Sequence, residues 1–251
     1  MQLTIADICK SFGPKQVLDK LHTQLESGNA YALLGKNGAG KTTLINILLH
    51  LVQADAGHFL LDDAPLDTSS RAWKRRVGVV SDEVPLVPQM TGRECLEFHA
   101  CLYDVPPAEA RPRIDALLHH FFEDVRDTGK EVRSYSTGMR KKIEICAAVL
   151  HTPDVLLLDE PFSGLDPVAA RELISFLNTY RRPGRILLLS SHDLAYVQQC
   201  VSHVLVLDEA RFKFDGSTEA FLRSGNGKID GALFLLLVSS EKSGDGLEWM
   251  Q

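Results

Sequence analysis

An α/β fold on a mainly parallel, doubly wound sheet, with a helical block inserted into it, is what the sequence predicts. Three observations carry that prediction. The runs Val-Leu-Leu-Leu at 155–158 and Ile-Leu-Leu-Leu at 186–189 are uniformly apolar, as central parallel strands covered on both faces must be. A third apolar run, Ala-Tyr-Ala-Leu-Leu at 30–34, passes through a glycine-rich turn into a segment with helical spacing. From about 90 to 150 the chain changes character. It is rich in Leu, Glu, Arg and His, and reads as several helices broken at Pro106-Pro107 and Thr128-Gly129.

Taken in chain order, residues 2–8 alternate (Leu3 and Ile5 against Thr4 and Ala6) and predict a strand. Lys41 to Leu51 places Leu44, Ile47, Leu48 and Leu51 on one helical face. Residues 57–61 and 77–80 read as strands. Asp166-Pro167 is a helix start, a capping residue followed by proline at the first helical position. Residues 204–207 and 211–214 read as a hairpin, and 217–224 as a short helix. Leu96, Phe98 and Leu102, at helical spacing, read first as core. Strands alternating with helices favour a parallel sheet. The expected organisation is one domain over 1–224, with a helical subdomain at about 84–150, and a tail over 225–251 to which no structure is assigned.

Bulk properties narrow the function. The net charge of −6 does not suit a nucleic-acid partner. The basic clusters Lys74-Arg75-Arg76 and Arg140-Lys141-Lys142 read as solvated faces. Five scattered cysteines, none in a CxxC pair, predict reduced thiols in a cytosolic protein. His119-His120 lacks companion ligands at metal-site spacing. No basic, apolar leader opens the chain. The longest apolar run, Ala232 to Val238, is far short of the roughly 20 residues that span a bilayer. Any membrane role is therefore expected to come through a partner.

Residues 35–43, Gly-Lys-Asn-Gly-Ala-Gly-Lys-Thr-Thr, fit the phosphate-binding pattern G-x-x-x-x-G-K-[ST], with a strand before it and a helix after it. Gly35, Asn37, Gly38, Ala39, Gly40, Lys41, Thr42 and Thr43 are the candidate phosphate cradle. Glycines let backbone N–H groups converge on an anion, and the helix start adds positive potential. Lys41 is expected to reach the β- and γ-phosphates, and the Thr42 hydroxyl to ligate Mg²⁺. Asp159 and Glu160 end a buried strand, the usual ligand-bearing end in open α/β sheets. Alternation sends their side chains different ways: Asp159 suits the Mg²⁺ shell, and Glu160 suits orienting or deprotonating a water.

Further segments resemble one family closely. Tyr135-Ser136-Thr137-Gly138-Met139 resembles the signature sequence of the ABC (ATP-binding cassette) proteins in its Tyr-Ser-x-Gly-Met form. Ser163-Gly164-Leu165-Asp166 resembles their D-loop, and Ser191-His192-Asp193 their switch-histidine segment. Phe12 matches the aromatic residue that stacks on adenine. The ordered matches run from about residue 3 to 216, and are most similar to the bacterial branch that often serves exporters.

The resemblance implies a P-loop NTPase core with a mainly parallel sheet, an N-terminal antiparallel β part and an inserted α-helical subdomain. It implies ATP and Mg²⁺ as cofactors and a second ABC ATPase domain docked head to tail. Ser136 and Gly138 would then meet the partner's ATP, Asp166 would belong to the same nucleotide-binding set, and His192 would contact the γ-phosphate. A separately encoded multi-span membrane permease is the implied partner, placing the chain on the cytoplasmic face of the membrane. In the family a glutamine follows the strand at 77–80; here Asp82 stands in that position and becomes a candidate metal ligand. Thr137 replaces the usual first signature glycine, and Met139 a common glutamine. Two other readings stay open: a solitary cassette regulating a membrane complex without transport, and a nucleotide-binding module with little hydrolysis. Base recognition by a GTPase is not expected, since no Asn-Lys-x-Asp motif occurs.

Overall fold

The computed structural model of the chain describes residues 1–81, 86–223 and 227–238. Strands β1 (Gln2–Phe12) and β2 (Lys15–Glu26) form an antiparallel hairpin, and β3 (Ala30–Leu34) leads into α1 (Lys41–Leu48). Then come β4 (Ala56–Leu61), β5 (Ala64–Pro65), α2 (Arg71–Lys74) and β6 (Val77–Val80). The helical block contains α3 (Gly92–Leu102), α4 (Pro107–Phe121) and α5 (Thr137–Leu150). The chain returns through β7 (Val155–Asp159), α6 (Pro167–Tyr180), β8 (Ile186–Ser190) and α7 (Leu194–Val197). It closes with the antiparallel pair β9 (His203–Asp208) and β10 (Arg211–Ser217), then α8 (Thr218–Arg223) and α9 (Ile229–Val238).

Two sheets result. An antiparallel one runs β2-β1-β4-β5, and a mainly parallel one runs β10-β9-β3-β8-β7-β6. β3, β7 and β8 are buried along nearly their whole length, because each face meets a separate core. Tyr31, Leu33, Val155, Leu157, Ile186 and Leu188 point toward α1 and the antiparallel sheet. Their alternating neighbours Ala32, Leu34, Leu156, Leu158, Leu187 and Leu189 point toward α5 and α6. A strand with two covered faces has no polar face to show, hence the uniform apolar runs.

Asp166 caps α6 as the sequence suggests, accepting from Val168 N at 2.8 Å and Ala169 N at 2.9 Å, with Pro167 at the first position. α3 begins with a reciprocal capping box between Thr91 and Glu94. Two expectations change, and one strand was not anticipated. β2 is a full strand that the pattern concealed. Lys20 adopts φ of 48° and the β1/β2 register shifts beside it, so the buried positions jump from Leu18 to Leu21 and the alternation breaks. α1 stops at Leu48, because the chain turns through His50 at φ of 57°. Leu96 is core as expected, but Phe98 and Leu102 are 41% and 54% exposed, since they point away from α5.

α5 is tied to the rest of the helical block at its start and to the sheet at its end. At its start Tyr135 is buried, donating to Thr128 O at 2.8 Å and accepting from Gly92 N at 3.0 Å. At its end His151 stacks on Tyr103, with centroids 3.7 Å apart, and its Nε2 lies 3.1 Å from Val77 O on β6. The carbonyl can only accept, so Nε2 carries the proton. α9 packs on the same side of the sheet, burying Ile229, Ala232 and Leu237.

Burial pushes the His151 pKa down to about 4 from the ordinary 6.5. The folded state holds the ring neutral, so the unfolded chain binds more protons between those two values. Stability from this group is complete above pH 6.5 and is lost as pH falls toward 4, by about 2 kcal/mol at pH 5. His151→Phe keeps a ring on Tyr103 but cannot titrate. Urea titrations at pH 7.5 and 5.0 are expected to show a smaller loss of unfolding free energy in the variant than in the wild type.

Candidate functional site

The C-terminal ends of β3, β8 and β7 lie side by side and open into a cleft of about 580 Å³. Phe12, Asn37, Gly38, Gly40, Lys41, Thr42, Thr43, Asp159, Glu160 and His192 line it, together with Val17 and Ser81. Most of the candidates from distant parts of the sequence therefore meet in one place. Gly35 and Ala39 belong to the same loop but do not line this cleft.

The loop depends on missing side chains at two points. A Cβ on Gly35 would lie 2.2 Å from the carbonyl oxygen of Leu207 on β9. Gly40, with φ of 110°, caps α1, and a Cβ there would strike Leu18 and Val17 of β2. The N-terminus of α1, with its unpaired N–H groups, is thereby aimed into the cleft. Lys41 folds back over the loop, its Nζ donating to Gly35 O at 2.8 Å and to Lys36 O at 3.2 Å. Burial pushes its pKa down, and the carboxylates of Glu160 and Asp159 oppose that effect.

Asp159 is held from two sides. Thr42 Oγ1 donates to its Oδ2 at 3.1 Å, and Ser190 Oγ donates to its Oδ1. The hydroxyl and carboxylate oxygens are hard donors that suit Mg²⁺, which keeps waters and takes phosphate oxygens as further ligands. Among the described residues no group of three or more His, Cys, Asp or Glu gathers as a metal site. The Thr42–Asp159 pair by itself supplies oxygen donors of the kind Mg²⁺ takes alongside phosphate oxygens and waters. Asp82 lies outside the described residues.

Glu160 has φ of 50°, an uncommon conformation for a side-chain-bearing residue and one concentrated at functional sites. Its N–H donates to Ser190 O at 3.0 Å. Its carboxylate is engaged by His192, through Nδ1 to Oε1 at 2.9 Å and the backbone N to Oε2 at 3.3 Å. Across the cleft, Phe12 is 52% exposed. Its strand end is pinned by Asp55, which accepts from Lys10 Nζ at 2.8 Å and Ser11 N at 2.6 Å. The Lys10 hydrogen bond holds the Asp55 carboxyl below the usual carboxylate range. Lys10 Nζ also sits 5.3 Å over the Phe12 ring.

Three candidates stand apart. Ser136, Gly138 and Asp166 line a different cleft, with Lys142 and the acidic Glu123, Asp124, Asp127 and Glu172. Ser136 caps α5, accepting from Met139 N at 3.2 Å. Gly138 packs closely against the carbonyl of Gly164. The Asp166 carboxylate is engaged as the α6 cap, and the Ala169 and Val168 N–H groups hold its pKa down. Sequence reasoning missed Ser190 and Asp55. Neither stands in a chemical motif, and only strand pairing brings them to the site.

Removing the Lys41 ammonium takes a charged donor away from any anion in the cleft. In Lys41→Ala, affinity for ATP is expected to fall by about 10–100-fold, the equivalent of a charge-assisted hydrogen bond or two. Calorimetric titration checks this.

Comparison with known proteins points to one family. Residues 18–163 match the family model described as ABC transporter. Daunorubicin resistance ATP-binding protein DrrA3 of Streptomyces coeruleorubidus is 33% identical over 230 residues, covering 91% of this chain and 72% of that protein. Nod factor export ATP-binding protein I of Paraburkholderia xenovorans is 33% identical over 215 residues, covering 86% and 70%. A solved ATP binding subunit of an ABC transporter superposes with a TM-score of 0.84 at 27% identity, over 94% of this chain and 100% of that one. A dimeric ATP-binding cassette in a post-hydrolysis state with ADP and Pi shares the fold, with a TM-score of 0.75 at 18% identity over 86% of this chain and 98% of that one. By sequence, fold and the convergence of its phosphate loop with the acids of β7, the chain belongs to the ABC transporter family as an ATP-binding subunit.

Proposed function

We propose that the chain hydrolyses ATP to drive a separately encoded membrane permease, in the direction of export, as one half of a head-to-tail pair of cassettes. The observation that carries this reading is the division of the candidate residues between two clefts. Lys41, Thr42, Asp159, Glu160 and His192 line one, while Ser136 and Gly138 line another. A nucleotide held by the first set meets no signature residue of its own chain, so the signature must come from a second cassette. The names of the relatives, one a drug-resistance and one an export protein, support export. Among the described residues no helix is long and apolar enough to cross a membrane, and in this reading a partner supplies the transport path. The exposed Phe98 and Leu102 on α3 offer that partner an apolar contact.

In the reaction, water attacks the γ-phosphorus, the bond to the β,γ-bridging oxygen breaks, and ADP and phosphate leave. Lys41 turns its ammonium from the loop carbonyls to the β- and γ-phosphates. Phe12 stacks on adenine. Glu160 orients the water and takes up its proton, with His192 fixing the carboxylate through both oxygens. Thr42 and Asp159 would hold Mg²⁺, which when bound would neutralise charge on the phosphates. Ser136 and the N–H groups near Gly138 donate to the γ-phosphate of the partner's ATP. ATP thus favours the closed pair and hydrolysis releases it, and that cycle moves the permease.

Glu160→Gln keeps the shape of the side chain and removes its basicity. With MgATP this variant is expected to elute as a dimer in size-exclusion chromatography with light scattering, while the wild type turns ATP over. A variant that binds ATP yet stays monomeric, beside an inactive wild type, would contradict the shared-site mechanism. Asp82 adds a second check, because a carboxylate there brings negative charge toward the γ-phosphate and lacks the amide's donor. Asp82→Gln is expected to raise the ATPase rate or lower the Mg²⁺ requirement. If both stay as in the wild type, Asp82 has no part in the site.

A further inference from the structure

We propose that Ser190 is a positioning residue that aims Asp159 at the metal and so sets how strongly Mg²⁺ tightens nucleotide binding; this rests on reading the cleft as a Mg²⁺–nucleotide site.

β8 lies between β3, which leads into the phosphate loop, and β7, which ends in the acids. The parallel register pairs Asp159 with Ser190, the last residue of β8. Ser190 is fully buried, with no exposed surface. Its hydroxyl donates to Asp159 Oδ1, while Thr42 donates to Oδ2. The terminal torsion of an aspartate is broad and two-fold, so a carboxylate with one donor can turn about it. Two donors from opposite sides fix its plane. Oδ1 is then committed to the protein, and Oδ2 faces the Thr42 hydroxyl, where the metal would sit. Loss of the serine hydroxyl leaves the part-buried Oδ1 without this donor, and the carboxylate turns to seek another.

The same residue also supports Glu160, but through its backbone: the Ser190 carbonyl accepts from Glu160 N at 3.0 Å. That contact survives any change of side chain. Substitutions at 190 therefore isolate the effect on Asp159 from the effect on the backbone of Glu160. A buried hydroxyl also needs an acceptor for purely structural reasons. Such a role would move stability alone, whereas aiming Asp159 moves the metal dependence of binding.

Threonine and valine have nearly the same shape, both are at home in a strand, and they differ in the hydroxyl. The full chain as wild type, Ser190→Thr, Ser190→Val and Ser190→Ala would be titrated with a non-hydrolysable ATP analogue by calorimetry, in EDTA and over a series of Mg²⁺ concentrations. All four are expected to bind equally in EDTA. Wild type and Ser190→Thr should share one half-saturating Mg²⁺ concentration, and the Val and Ala variants should need about tenfold more, the worth of one hydrogen bond to a charged group. The Ala variant adds no volume to the buried site, so it keeps the comparison open if the β-branched variants do not fold. Wild-type Mg²⁺ dependence in folded Ser190→Ala or Ser190→Val overturns the proposal. So does an equal loss of affinity with and without metal, which assigns the side chain to packing. A wild type whose nucleotide affinity ignores Mg²⁺ removes the reading of the cleft itself, and the proposal with it.

Discussion

The site depends on β8 being threaded between β3 and β7. In chain order β8 follows both, yet in the sheet it separates them. The phosphate loop and the acid pair therefore face each other across the end of a third strand, and that spacing lets Thr42 reach Asp159 at 3.1 Å. A direct β3–β7 pairing would bring the two ends closer by one strand width, about 4.8 Å, and leave no place for the β8 extension that carries His192. Everything at the cleft inherits this order. Ser190 fills the gap beneath the acids, and the residues after it turn back over Glu160.

The electrostatics follow from the same placement. Lys41 is a cation made less stable by burial, and the two carboxylates across the cleft favour its charged form. In the folded chain its ammonium rests on the carbonyls of Gly35 and Lys36. A polyanion offers better partners than neutral carbonyls, so the loop is prepared for a phosphate chain without large rearrangement. The antiparallel sheet serves the site at a distance. Its close approach to the loop demands glycine at position 40, and through Asp55 it holds the strand end that presents Phe12.

The helical block works in the opposite direction. α5 runs from Ser136, its cap, to His151, which meets Val77 on β6. Tyr135 and the Tyr103–His151 stack fasten that rod at both ends. The signature residues are consequently carried away from the cleft of their own chain. In the proposed mechanism this distance gives ATP its leverage, because the nucleotide can complete its contacts only by drawing two chains together.

Local chemistry was legible in the amino-acid sequence. Gly35 to Thr43 declares a phosphate loop because glycine is demanded wherever backbone must approach another strand or adopt positive φ. The apolar runs at 155–158 and 186–189 declare central strands because both faces are covered. Asp166-Pro167 declares a helix start because capping acts within a few residues. β2 escaped notice, since the left-handed residue at Lys20 shifts the alternation that marks a strand. Ser190 and Asp55 carried no signal either. A buried serine donating to a carboxylate 31 positions earlier looks like any serine until the strand order is known. Sequence alone thus determined which residues are candidates for the chemistry and which segments form most of the sheet, because those depend on neighbours along the chain. Only tertiary structure decided which oxygen of Asp159 is taken by Ser190 and which meets Thr42, what holds Glu160 and Phe12 in place, and that Ser136 and Gly138 lie in a separate cleft. Those outcomes depend on which strands lie side by side, a property of the folded chain as a whole.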